Sequence, residues 1–158
     1  MGAGGIDAVS DLAVAIRFPR SDSYLAAQTL LELGPELTKL GLPILIDNLR
    51  HGQPETRIYS VILIGSVGEA ASCAVGEIAP LLWDSDPHVR SAAMLALEEI
   101  TGRDLVPSEH KTLITPSFLA GSLPADSPEG QIVEEAREWW QEQGSKTDWH
   151  PAYGICDP

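Results

Sequence analysis

The side chains best suited to chemistry in this chain are four histidines, two cysteines and many carboxylates, and their spacing brings few of them together. His51, His88, His110 and His150 fall in different turns or near helix starts. None lies four residues from another, the spacing that puts two imidazoles on one helix face for a metal ion. Glu109-His110 is the nearest approach to a His–Glu pair, and it is unrepeated. Cys73 and Cys156 form no C-x-x-C motif, and Cys73, between Ser72 and Ala74, reads as a small buried residue. Two free thiols in a reducing cytoplasm are expected, rather than one disulfide. Gly2-Ala3-Gly4-Gly5 follows no strand and leads to no Gly-Lys-Ser/Thr, so it is a poor phosphate cradle. No G-x-S-x-G occurs. Glu134, Glu135, Glu138 and Glu142 share the solvated face of one helix. The chain is expected to be no enzyme, with no catalytic residue, metal ligand or cofactor.

Composition narrows the partner classes. The 158 residues carry 23 acids against 10 Lys plus Arg, a formal charge of −13. A chain this negative has no electrostatic reason to seek nucleic acid or an anionic membrane surface. With 44% hydrophobic residues it is too apolar to be disordered and long enough to bury a sizeable core. No run of 18 apolar residues occurs, the length a helix needs to span a bilayer. The start has neither a basic nor an apolar leader segment, so a cytoplasmic location is expected.

The elements that must position any site are helices. Apolar spacing and breakers predict helical segments over roughly 6–17, 22–33, 40–50, 54–67, 72–83 and 87–101. The Pro, Gly, Ser and Asp clusters between them supply turns and N-caps. Laying the chain on itself at a lag of about 33 residues aligns these segments in pairs. Val9, Leu42 and Val75 coincide, as do Leu12/Leu45/Ile78, Ile16/Leu49/Leu82, Ala27/Ser60/Ala93, Leu30/Leu63/Ala96 and Leu31/Ile64/Leu97. Pro54 matches Pro87, and Arg57 matches Arg90. Both arginines sit at the first turn of a helix, where the macrodipole disfavours a cation. They are therefore expected to reach turn carbonyls or carboxylates, with Asp84 and Asp86 as candidate partners, in an architectural role.

On these residues the chain resembles the HEAT-repeat family, in the short bacterial form also seen in phycobilisome-lyase-type proteins. The clearest copy runs from Ile78 to Leu97: an apolar helix, the turn Asp84-Ser85-Asp86-Pro87, then Val89-Arg90 with spaced alanines and leucine. The second copy lacks the turn Asp, and the first has Tyr24 where the Arg belongs. The resemblance implies an all-α fold: a short right-handed α-solenoid of three helix pairs (about 6–34, 40–67 and 72–102) within residues 1–102. Residues 103–158 form a proline-rich connection, a capping helix over about 128–143 and an irregular aromatic tail, and the whole makes one structural domain. A short helix is expected near 108–114. Trp139 and Trp140 are expected on the capping helix's apolar side, with Arg137 among the glutamates on its polar face.

In HEAT solenoids the second helix of each pair lines the concave side. Its outward columns here are Asp22/Glu55/His88, Leu25/Ile58/Ser91, Thr29/Ile62/Leu95 and Glu32/Gly65/Glu98, with Tyr59 alongside. They form an apolar strip rimmed with acid, the composition of a peptide or protein groove. The expected function is a non-catalytic protein-interaction module whose partner, a protein or peptide, is basic. A subunit of a HEAT-type chromophore lyase and an acidic immunity protein against a basic toxin are the alternatives. Eleven of the thirteen units of net negative charge fall after residue 68: five in 69–102 (one base, six acids) and six in 103–158 (four bases, ten acids).

Overall fold

The computed structural model describes residues 3–18, 21–105, 128–147 and 149. Among these the regular elements are all helical: α1 (Ala3–Ala15), α2 (Ser21–Leu33), α3 (Pro35–Thr38), α4 (Leu42–His51), α5 (Pro54–Ser66), α6 (Val75–Ile78), α7 (Pro87–Thr101) and α8 (Pro128–Glu142). Short 3-10 turns cover Lys39–Gly41, Gly68–Ala74, Ala79–Trp83 and Gly144–Lys146. The fold is all-α. None of the described helices is long and apolar enough to cross a membrane. The helix expected near 108–114, with most of the proline-rich connection and the tail beyond Trp149, lies outside the described residues.

Local sequence accounts for most boundaries. α5 and α7 open on Pro54 and Pro87, whose missing N–H falls where no helical partner exists. Asp86 caps α7, its carboxylate accepting the backbone N–H of His88 at 2.8 Å and of Val89 at 3.4 Å. Gly102 closes the same helix in the left-handed region at φ 65° and donates its N–H to Glu98 O. The single helix expected over 72–83 is instead three pieces: the turn Gly68–Ala74, one turn of α-helix in α6, and the turn Ala79–Trp83. Ala71 kinks the first piece at φ −95°, ψ 17°. Pro80, without an N–H, cannot continue the ladder of α6. The unexpected α3 arises where Gly34, at φ 84°, ends α2 and Pro35 starts a new turn.

The helices pack in two rows. α1 lies against α2, α4 against α5, and α6 with Ala79–Trp83 against α7. α2, α5 and α7 follow one another in one row, and α1, α4 and α6 in the other. The aligned aliphatics fill the layer between the rows: Val9, Leu42 and Val75, then Ile16, Leu49 and Leu82, are all buried. Burying each such side chain contributes about 1.5–3 kcal/mol.

Buried polar side chains join one pair to the next. The Asn48 amide donates to Ala13 O at 3.0 Å and accepts from Arg17 Nε at 2.9 Å. The Thr56 hydroxyl donates to Ile16 O, and that of Thr38 to Leu30 O. Each satisfies a carbonyl near a helix C-terminus that has no helical partner.

α8 packs on α7 and on Ala79–Trp83, burying Ile132, Val133, Ala136 and Trp139, while Trp140 is half-buried. Arg137 keeps its place among the glutamates, its Nη1 donating to Glu134 Oε2 at 2.8 Å, but also reaches back to the body of the fold. Its Nε and Nη2 both donate to Leu82 O, at 2.9 and 2.7 Å, and its guanidinium lies 5.5 Å from the Trp83 ring centre. A carbonyl at the end of a terminated helix and an exposed aromatic face are both favourable for a cation.

Cys73 is disulfide-bonded, which corrects the expectation of two free thiols. The absence of a C-x-x-C motif carries no information about pairing between distant residues, which depends on geometry alone. The thiol-based ground for a cytoplasmic location goes with it.

Candidate functional site

The arginines and aspartates aligned by the repeat act together at the turns. Arg57 grips the Asp84 carboxylate with two nitrogens, Nη2 to Oδ1 at 3.0 Å and Nε to Oδ2 at 2.8 Å. Its Nη1 donates to Gly52 O at 2.7 Å. Arg90 Nη1 donates to the carbonyls of Asp84 and Ser85 at 2.8 and 3.2 Å. Asp84 Oδ1 also accepts the Asp86 N–H at 2.9 Å. One turn thus receives both arginines. Asp86 takes no part in the ion pair, because its carboxylate is used as the helix cap.

The expected concave strip is only partly a surface. Ile58 is 6% exposed and Ser91 2%, so neither can meet a partner, which corrects their assignment to the strip. Ile58 lies one turn from Val61 on a face of α5 that is sealed in the core. The Ser91 hydroxyl is turned back onto Pro87 O. Leu95, His88 and Glu98 are half-buried, and Glu98 Oε2 accepts the Leu105 N–H at 2.9 Å. Glu55 is exposed, and Tyr59 and Ile62 are half-buried.

What the strip lacks on α7 it gains on α2. Leu25 is 62% exposed and Tyr24 57%, whereas Ile58, the counterpart of Leu25 in α5, is buried. Tyr24, Ala27, Gln28 and Leu31 of α2 face Tyr59, Ile62 and Leu63 of α5 across a pocket of about 110 Å³. The two tyrosine rings meet edge to face with centres 6.2 Å apart.

The reason for this opening is a difference in side-chain size. α5 and α7 approach closely where Gly65 meets Ala96, so closely that a Cβ on Gly65 would lie 3.0 Å from Ala96 Cα. α7 carries the small residue Ala92 at the repeat position where α5 carries Tyr59. The tyrosine ring holds α2 and α5 apart, and the cleft is the space left beside it. Repeat alignment assigns equal spacing to all pairs, so the cleft has no signal in the aliphatic columns. The substitution of Tyr59 for alanine is the one sequence feature that marks it.

Burial pushes the Tyr59 phenol above its ordinary value of 10.0, reinforced by Tyr24 and by the carboxylate of Glu55. No Asp, Glu, Lys or Arg lines the cleft, and the Glu55 carboxylate lies close enough to act on Tyr59. Glu32 is exposed on the α2 side, accepting a hydrogen bond from Gln28 at 3.1 Å. Among the described residues no three His, Cys, Asp or Glu side chains converge in a way that could hold a metal ion. No protein-family model matches this chain, and comparison with curated proteins and with solved structures finds no match either.

Proposed function

We propose that the chain is a short HEAT-like right-handed α-solenoid that acts as a non-catalytic protein-interaction module, with the α2/α5 cleft as its docking site. The two rows of paired helices, and the 33-residue recurrence of buried aliphatics, support the solenoid reading. The observation that carries the functional reading is the exposure of Tyr24, Leu25 and Leu31 beside the half-buried Tyr59 and Ile62. Aromatic and aliphatic side chains around a concave pocket make the usual anchor site of an interface. The carboxylates of Glu32 and Glu55 at its margins, on a chain of charge −13, favour a partner segment that pairs an apolar anchor with Lys or Arg.

The test uses the full chain with a photoreactive benzoylphenylalanine at position 25, irradiated in a native lysate. Adducts with proteins of basic composition are expected, and Leu31→Glu in the same bait is expected to abolish them. Leu31 is 42% exposed, so the glutamate leaves the fold intact. Adducts unchanged by Leu31→Glu, or no adducts, would overturn the reading.

A further inference from the structure

Taking the docking role of the α2/α5 cleft as given, we propose what fills it: one aliphatic side chain of Leu, Ile or Met size, on a peptide segment with Lys or Arg two positions away, and no aromatic anchor. Volume carries the selection. The cleft measures about 110 Å³. At interior packing density a Leu, Ile or Met side chain occupies roughly 100 Å³, a Phe side chain roughly 140 Å³ and a Trp side chain roughly 170 Å³. The aliphatic chains fill the space, whereas the rings overfill it, and overfilling a packed site forces its neighbours off their rotamers.

The walls have little room to give. Ala27 and Leu63 are buried, and the half-buried Ile62 packs against the core. A larger anchor would press these side chains into the close-packed layer behind them. The Tyr59 ring is half-buried and braced edge to face by Tyr24, with centres 6.2 Å apart. Two aromatic rings thus already occupy the cleft's own walls, and the space they leave has the size of a four-carbon group.

Charge fixes what stands beside the anchor. A Lys or Arg head placed in the cleft would lose its water and find no carboxylate in the lining, so the anchor itself must be neutral. The carboxylates stand one helical turn away, one on each wall. Glu55 precedes Tyr59 by four residues in α5, and Glu32 follows Gln28 by four residues in α2 and accepts its amide N–H at 3.1 Å. Four helical residues rise about 6 Å. Two residues of an extended segment span about 6.6 Å, so a basic residue two positions from the anchor comes level with such a carboxylate. An acidic residue at that position would meet like charge instead.

The experiment pans a phage-displayed library of random heptapeptides against the immobilised full chain. Peptides that engage the cleft are those lost when the bait carries Leu31→Glu. Among them, Leu, Ile or Met is expected at one position with Lys or Arg two positions away. Replacing that aliphatic residue by Trp in a synthetic copy is expected to weaken binding about tenfold by fluorescence polarisation. Ile62→Ala removes about 80 Å³ from the wall and is expected to bring the Trp peptide to equal affinity. Gln28→Ala, at an exposed position of α2, enlarges the same cleft and replaces Ile62→Ala if that variant does not fold. Aromatic anchors among the Leu31-dependent peptides, no basic residue beside the anchor, or a Trp penalty that the enlarged cleft does not relieve would overturn this selection and leave the docking role standing. No Leu31-dependent peptide at all would overturn both.

Discussion

Arg57 and Asp84 stand 27 positions apart in sequence and share two charge-assisted contacts, 3.0 and 2.8 Å long, between the start of α5 and the turn before α7. Both side chains are largely enclosed, at 18% and 10% exposure. The pair lies where two neighbouring helix pairs meet, and the same turn holds Arg90 through its carbonyls.

Asp84→Ala removes the acceptor of both Arg57 and the Asp86 N–H, leaving a partly buried guanidinium uncompensated. A loss of about 3 kcal/mol is expected, measured by urea denaturation followed by circular dichroism. The double variant Arg57→Met/Asp84→Ala is expected to lose less than the sum of the single losses, since no charge is then stranded. Additive losses would show that the two residues act separately.

Two glycines inside helices are expected to respond to alanine with opposite sign. Gly65→Ala places a methyl 3.0 Å from the backbone and Cβ of Ala96, and should destabilise by about 2 kcal/mol despite alanine's higher helix propensity. Gly76 lies in α6 with open space around it, so Gly76→Ala should be neutral or stabilise by up to about 1 kcal/mol. Comparison of the two melting temperatures against the unmodified chain decides this.

Asp47 supplies a pH signature. The hydrogen bond from Arg17 holds its carboxyl below the usual 3.8, with the Arg17 and His51 charges adding to the effect. A carboxyl depressed on folding stabilises the folded state fully above its unfolded value, and that contribution fades as pH falls below 3.8 and through the folded value. Asp47→Asn should lower the melting temperature at pH 6 and have no effect once the pH is below the folded value. The contribution should also shrink in high salt, because the pair is partly exposed. A deficit that persists unchanged into strong acid would show that Asp47 acts by packing.

The helices were legible because their signals are local. Pro54, Pro87, Asp86 and Gly102 mark helix ends through backbone chemistry, which needs no tertiary context. The columns Val9/Leu42/Val75 and Ile16/Leu49/Leu82 indicated the buried layer because a recurring aliphatic at helical spacing has little use elsewhere. The break of 72–83 into three pieces was not legible as such, although Gly76 and Pro80 were present, because its apolar spacing still fits one helix. The candidate site was legible only in part. Tyr59 and Ile62 line the cleft, but Ile58 and Ser91 share their polarity pattern and are buried. Which face of α5 is sealed depends on the distance to α7, and that distance is set by Gly65 and Ala96 in combination. Cys73 lay beyond local reading for the same reason: its state depends on where a distant part of the chain returns.

The close Gly65–Ala96 approach and the Tyr59 spacer have a kinetic consequence. α5 and α7 pack closely at Gly65 and Ala96, and the Arg57–Asp84 pair ties α5 to the turn before α7, so their amides should exchange with solvent only on global opening. α2 borders the cleft, and α1 packs on α2 and α4. α1 and α2 are expected to open as a separate cooperative unit, their amides exchanging through a partial opening that leaves α4 to α7 folded. A segment bound in the cleft would contact both α2 and α5, and is expected to slow exchange most in α2.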